Sequence, residues 1–326
     1  MKILCTQDFP GDIRMLGSVA ADSPGGMEFE MMPFINKLQQ MPRRVRELAA
    51  GASAVLTCNL WSTNLIRKTF PSLPLILLPH NACAVKAHYW FQNVIDTADI
   101  YLSTGLSLRR KTLLLDPEAE VVDIPYPRLK GYREAALKAG PPDYDLVFAC
   151  TAYPHYPTLM GIKTEYAYWH ELIPTLAAEG FRIAVLRHRD DRGLEKTPGV
   201  DYYDQPNPGI LFAGRAVVSD IASNGLIAAV LDKPVLQVID RNGEVPPYFA
   251  SHRGFINLLF AIGLRFGTEW TVEGLSETYP FGKRNSSLWD EYRQLASTHI
   301  NDRLDNSQLY TRLAAAATSR KKPAMA

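Results

Sequence analysis

Cysteine, net charge, long apolar runs and phosphate-loop glycine motifs are all scarce in this chain. The 326 residues hold four cysteines, Cys5, Cys58, Cys83 and Cys150, and no CxxC pair. Such spacing argues against a disulfide framework or a zinc site, and because these cysteines mostly end apolar runs they read as buried free thiols in a reducing compartment. No run approaches the roughly 20 apolar residues of a membrane span, and the opening MKILCTQDFPGD is too short in apolar residues for a signal peptide. The expected location is cytoplasmic, with any membrane contact peripheral and at the inner face. Lys and Arg number 35 against 34 Asp and Glu, so the formal charge of +1 offers no general attraction to nucleic acid, and no nucleic-acid partner is expected. Neither GxxxxGK[ST] nor GxGxxG occurs, which removes the two strongest phosphate-binding fingerprints.

What is present is a rhythm. The β-rich runs KILCT, ASAVLTC, LPLILLPH, DIYLS and EVVDI alternate with helical patterns near 33–50, 61–69, 85–97 and 105–115. Apolar strands separated by helices are the mark of parallel βαβ units buried on both faces. Gly140-Pro141-Pro142 breaks the series, and DLVFACT opens a second one: a helix near 164–179, FRIAVLRH, VDYYD, a helix near 207–213, AVVSD, a helix after Ser223, and PVLQVID. From residue 253 the pattern is helical up to a basic tail, SRKKPAMA. The expected fold is α/β with two doubly wound, Rossmann-like domains, 1–140 and 141–300, followed by a C-terminal helix and basic tail over 301–326. Two such domains and a proline linker suggest the GT-B architecture of nucleotide-dependent transferases.

Ligands of open parallel sheets bind beyond the carboxyl ends of the strands, and that rule selects among the polar residues. His80 ends LPLILLPH, His188 ends RIAVLRH, Asp220 ends AVVSD, and Asp240 with Arg241 end PVLQVID. His80 is either a loop or helix-capping histidine or a general base able to take the proton of a hydroxyl. Arg187 and His188 form either a solvated charged loop or a phosphate-binding group. In LFAGRAVVSDIASNGLIAAVLDKPV a strand ends at Ser219 and Asp220, and a short helix follows a turn that includes Ser223, Asn224 and Gly225. Amide N–H groups at a helix start are unpaired and carry partial positive charge, so this turn is a candidate diphosphate cradle, or else an ordinary turn capped by Ser223 or Asn224. Asp143-Tyr144-Asp145 has a spacing that holds a divalent metal in some transferases, but after the proline pair it reads as a solvated turn, and no metal is expected. The basic runs Arg43, Arg44, Arg46 and Arg109, Arg110, Lys111 are either solvated faces or a surface for an anionic acceptor or acidic headgroups.

Taken in order, these segments resemble the CDP-glycerol glycerophosphotransferase family, the teichoic-acid primases and polymerases. His80 in LLPHNACAVK looks like the family's strand-end histidine, here without the usual Trp-His-Gly-Thr. Tyr126-Pro127-Arg128 is similar to the loop Gly-Tyr-Pro-Arg-Asn-Asp, and Ser219-Asp220-Ile221-Ala222-Ser223 aligns with Thr-Asp-Tyr-Ser-Ser, followed by the kept Leu231-Asp232-Lys233-Pro234. The resemblance covers roughly residues 75 to 260. It implies attack by an acceptor hydroxyl on a CDP- or UDP-activated donor, with His80 as base. His188 and Arg128 would stabilise phosphate charge, and Ser219, Asp220, Ser223, Asn224, Gly225 and Arg187 would hold the nucleotide. No cofactor beyond the activated donor is expected. Two alternatives stay open: a sugar-nucleotide epimerase of the same fold, and a non-catalytic nucleotide-binding module.

Overall fold

A computed structural model describes residues 1–6, 10–21, 23–58, 62–79, 97–150, 169–188, 195–219, 222–239, 264–265, 293–294, 296–304 and 306–318. The chain divides into two compact units, Met1–Leu129 with Thr298–Ala326, and Lys130–Ser297. In the first, β1 (Lys2–Cys5), β2 (Glu28–Met31), β3 (Ala54–Thr57), β4 (Leu75–Leu77), β5 (Ile100–Ser103) and β6 (Glu120–Asp123) form a sheet in the order β2-β1-β3-β4-β5-β6. Every pairing is parallel. The apolar runs AVLT, LIL and IYLS of β3 to β5 are wholly buried, whereas EFEM and EVVD at the two edges are only partly covered. Apolar runs therefore occupy the interior strands, and runs carrying acids take the margins.

Two elements of this unit lie outside the expected series, helix α1 (Pro10–Ala21) and β2 itself. The single helix expected near 33–50 is two helices, α2 (Ile35–Leu38) and α3 (Pro42–Gly51). Met41 between them has φ −124° and ψ 66°, since a proline disfavours helical backbone in the residue before it. Helices α4 (Thr63–Thr69) and α5 (Leu106–Leu115) follow β3 and β5. Asp99, 4% exposed, is held by Arg67 at 2.5 Å and by the Leu75 amide at 2.7 Å, so this buried carboxylate is paired rather than stranded. Cys5, Cys58 and Cys150 are buried free thiols, and burial pushes the Cys5 pKa up to about 12; Cys83 lies outside the described residues.

The second unit holds α6 (Leu129–Lys138, all but its first residue), β7 (Tyr144–Phe148), α7 (Trp169–Ala178), β8 (Ile183–Arg187), β9 (Asp201–Asp204), α8 (Pro208–Phe212), β10 (Gly214–Ser219), α9 (Ser223–Val230), β11 (Val235–Ile239) and β12 (Leu264–Arg265). Its strands run β12-β11-β10-β7-β8-β9, again all parallel. The order is that of a doubly wound dinucleotide-type sheet, in which successive strands are added first to one side of β7 and then, from β10, to the other. β12 falls inside the stretch expected to be helical; two residues are too few to show a strand period in sequence, and pairing with β11 defines them. Among the described residues no helix is long and apolar enough to cross a membrane.

At the amino edge of this sheet, a depression of about 420 Å³ is lined by Lys138, Gly140, Asp143 and Ala213. Neighbouring Asp145 takes hydrogen bonds from the Arg182 amide at 3.0 Å and guanidinium at 3.3 Å, and an ion pair from Arg215 at 3.4 Å. Burial acts to raise its pKa, but the Arg182 hydrogen bonds and the two positive charges prevail and hold the carboxyl below its ordinary value. Asp145 thus serves the sheet edge, where its neighbours are arginines. A depressed folded-state pKa contributes stability above the unfolded value, and that contribution is lost as pH falls through the folded one. Because both guanidiniums are half exposed, Asp145→Asn is expected to cost about 1 kcal/mol at pH 7. In urea melts the difference should fade below the ordinary carboxylate pKa of 3.8.

The first unit is completed from the far end of the chain. The Asn301 amide donates to the Thr104 carbonyl, the Tyr126 amide donates to the Asn301 carbonyl at 3.3 Å, and the Ser107 and Thr298 hydroxyls lie 2.8 Å apart. Helix α10 (Asn306–Thr318) then buries Leu309 and Leu313, and donates from Tyr310 to the Val19 carbonyl at 2.7 Å and from Arg312 to the Asp123 carbonyl at 2.6 Å. Gly105 allows this return: a Cβ there would sit 2.8 Å from the Thr298 carbonyl oxygen and closer still to that of His299. Backbone atoms cannot rotate out of the way, so Gly105→Ala is expected to cost about 3 kcal/mol in chemical denaturation. Gly17→Ala is the control. Nothing lies within 4 Å of its Cβ position on α1, and it should stabilise by about 0.5–1 kcal/mol.

Candidate nucleotide-binding site

The second sheet reverses its winding between β7 and β10, and loops leaving such a pair part company to open a crevice at the carboxyl edge. The seam beneath it is tightly tied. The Ala149 amide donates to the Val218 carbonyl at 2.8 Å, the Cys150 thiol reaches the same carbonyl at 3.6 Å, and the Ser219 hydroxyl donates to the Ala149 carbonyl at 3.2 Å. Ser219 is 0% exposed. Its hydroxyl thus ties β10 to the end of β7 beneath the carboxyl edge.

Above this seam stands the start of α9. Its N-cap is Ala222, with extended backbone (φ −71°, ψ 148°) and no side-chain acceptor. Neither Ser223 nor Asn224 caps the helix; they are its first two residues, and the ordinary-turn expectation for them is not met. The Gly225 amide bonds back to the Ala222 carbonyl at 3.2 Å. The amides of Ser223 and Asn224 have no partner among the described residues. No acidic side chain occupies the first turn. Gly225 to Ala229, which follow in the helix, are buried. At its far end Leu231-Asp232-Lys233-Pro234 forms a Schellman closure: Lys233 N–H to Ala228 at 2.9 Å, Asp232 N–H to Ala229 at 3.1 Å, and Asp232 at φ 64°. Those four residues end a helix, and Lys233, its pKa lowered by burial, donates to the Phe212 carbonyl at 3.0 Å.

A line of polar side chains braces the same edge. Tyr132 on α6 donates to Asn224 Oδ1 at 3.4 Å, and Asn224 Nδ2 donates to Gln205 Oε1 at 3.3 Å. Gln205 Nε2 in turn donates to the Leu186 carbonyl at 2.6 Å and the Cys150 carbonyl at 3.3 Å. Gln205 follows β9 at the carboxyl edge, so the strand-end rule that selects His188 also reaches it; the expectation passed over it. Nothing in sequence distinguishes Tyr132.

Of the residues expected to bind, Ser219, Ser223, Asn224 and Gly225 gather at the β10 to α9 junction. Arg187 ends β8 and His188 follows it, on the same carboxyl edge. Arg187 donates to Asp204 at 2.9 Å through Nη2, and its Nε is buried with no hydrogen-bond partner among the described residues. His188 is half-buried. Arg128 is half-buried in the first unit, after β6. His80, Asp220, Asp240 and Arg241 lie outside the described residues. Within the basic runs, Arg43 pairs with Glu47, Arg44 with Glu30 and Glu47, and Arg109 with Asp123.

No protein-family model matches the chain, and no curated protein does. Solved structures do. The spinosyn forosaminyltransferase SpnP aligns with a TM-score of 0.56 and 12% identity over 98% of this chain and 100% of that one. Phytolacca americana UGT2, complexed with UDP-2fluoro-glucose and pterostilbene, gives 0.52 and 12% over 98% and 100%. A putative UDP-N-acetylglucosamine 2-epimerase from Listeria monocytogenes gives 0.53 and 11% over 96% and 95%. At such identities the likeness is one of fold: α/β, two doubly wound units, GT-B. Transferases and an epimerase share it, so the likeness selects no single chemistry.

The missing cap makes a separable prediction. Ala222→Ser supplies a side-chain acceptor at the N-cap, where alanine has none, and is expected to raise the stability of the unliganded protein by about 1 kcal/mol, read from the denaturation midpoint.

Proposed function

We propose that the chain is a GT-B type transferase that binds a CDP- or UDP-activated donor at the start of α9. It would move the donor's glycosyl or glycerophosphate group to an acceptor hydroxyl. The observation that carries this reading is the uncapped α9: adjacent amide donors, no first-turn acid, at the winding reversal of a dinucleotide-type sheet. A diphosphate supplies acceptors for donors that have none among the described residues, and the helix dipole favours its charge. Further support comes from the fold shared with SpnP and UGT2, the latter complexed with a UDP-linked sugar.

In this reading the acceptor is carried by the first unit and the donor by the second. His80 takes the proton of the acceptor hydroxyl as its oxygen bonds to the transferred group, and the bond from that group to the departing phosphate breaks. Charge gathers on the departing nucleotide, where the α9 amides, Ser223, Arg187 and His188 meet it, and Arg128 serves the same purpose. The process served is cell-surface polymer or glycoconjugate synthesis in the cytoplasm, at the inner face of the membrane.

A thermal-shift series over nucleotides tests binding. A ligand at about 100 times its Kd stabilises by about 2.7 kcal/mol, or about 5–10 °C for a unit of this size. CDP or UDP is expected to give that shift; no response to either would overturn the reading. Ala222→Ser should weaken the responding nucleotide about fivefold, because its hydroxyl competes for the same amides. Unchanged affinity in a stabilised variant would move the site away from α9. Turnover separates the classes: His80→Ala should abolish transfer while nucleotide affinity is retained. Epimerisation of a UDP-sugar without any acceptor would favour the chemistry named for the Listeria monocytogenes neighbour.

A further inference from the structure

We infer that Gln205 and Tyr132 are positioning residues for the anion site at α9, an inference that rests on the nucleotide reading above. The argument starts from the polarity of one amide. Gln205 presents its nitrogen to two main-chain carbonyls, Leu186 at 2.6 Å and Cys150 at 3.3 Å. An oxygen in that place would face two aligned carbonyl dipoles, so the amide has only one acceptable orientation. Its oxygen must then turn toward Asn224 and accept from Nδ2 at 3.3 Å. That choice fixes Asn224 in turn: Oδ1 faces the Tyr132 hydroxyl, which donates at 3.4 Å.

The polarity set at the β7 and β8 ends is thereby passed to the second residue of α9. Gln205 is itself anchored by its own amide, which donates to the Arg187 carbonyl at 2.9 Å. With Asn224 clamped from two sides, the backbone amides of Ser223 and Asn224 hold a set direction before any ligand arrives. The second Nδ2 proton of Asn224 has no partner among the described residues. Donors fixed in advance need no ordering at the moment of binding, which is where preorganised sites gain affinity for an anion.

The test uses calorimetric titration of the full chain with UDP and CDP, and NMR titration with uridine and cytidine, which lack the phosphates. Gln205→Glu keeps the shape but sets an acceptor against two carbonyls, Gln205→Ala removes the link, and Tyr132→Phe deletes one hydroxyl under a retained ring. Both Gln205 variants should weaken the preferred nucleoside diphosphate about tenfold and Tyr132→Phe about threefold, while the matching nucleoside changes less than twofold. Equal losses for nucleoside and diphosphate would mark general damage and overturn the inference. So would diphosphate affinities within twofold of wild type in all three. If the Gln205 variants fail to fold, Tyr132→Phe alone decides on the same criterion. A wild-type chain that binds neither UDP nor CDP would fail the nucleotide reading itself and take this inference with it.

Discussion

The parallel pairing of β7 with β10 is the constraint on which the second unit depends. Strands laid down in chain order cannot all be added to one side of a sheet that also brings β10 against β7. The winding must reverse there, and the loops that leave the two strands must diverge. The seam is tied from below, by the Ala149 amide, the Cys150 thiol and the Ser219 hydroxyl bonding across it. What remains above is a helix start whose N-cap residue, Ala222, offers no side-chain cap. A protein built for stability alone would place serine or aspartate at position 222. Alanine there leaves the Ser223 and Asn224 amides without acceptors among the described residues, a local deficit of the kind that suits an anion.

Legibility in the sequence followed burial. Interior strands such as AVLT, LIL and IYLS announce themselves because both faces are covered and the runs are continuously apolar. The edge strand EFEM mixes acids with apolar residues, and β12 is two residues long, so neither shows a period; their identity comes from the strands they pair with. Helix α3 was displaced by a local effect, the bias that Pro42 imposes on Met41, which a periodicity count does not weigh. At the candidate site the strand-to-helix turn was readable because small residues between two buried runs have few other uses. The roles within it were not. Serine and asparagine both suit a cap in sequence, and only the backbone shows that Ala222 occupies that position. The resemblance places Ser219 among the nucleotide ligands, and its hydroxyl also donates to the Ala149 carbonyl across the seam. Gln205 and Tyr132 are far from α9 in sequence, and their meeting at Asn224 is a product of the tertiary fold.

Motif spelling also takes on a different meaning once the backbone is known. Leu231-Asp232-Lys233-Pro234 reads as a family element, but each residue has a local task. Leu231 closes the helix, Asp232 adopts the left-handed backbone, Lys233 returns its amide to Ala228, and Pro234 prevents continuation. Two of the polar residues in Asp143-Tyr144-Asp145 likewise bond within the sheet edge: Asp145 to Arg182 and Arg215, and Tyr144 to Asp201 at 2.8 Å and Tyr203 at 2.7 Å. Short patterns recur because helix ends and strand edges recur. The chemistry has to be argued from the groups that remain unsatisfied after such structural needs are met.

The first unit is assembled from two stretches of chain with the whole of the second lying between them. On a ribosome the amino-terminal stretch emerges first but lacks the segment that crosses Thr104 and Gly105 and the helix that follows it. Lys130–Ser297, by contrast, is a single continuous length, all of it translated before Thr298 appears. Vectorial synthesis therefore presents Lys130–Ser297 as the earlier unit to reach its finished form, and leaves the first unit waiting on the segment that begins at Thr298.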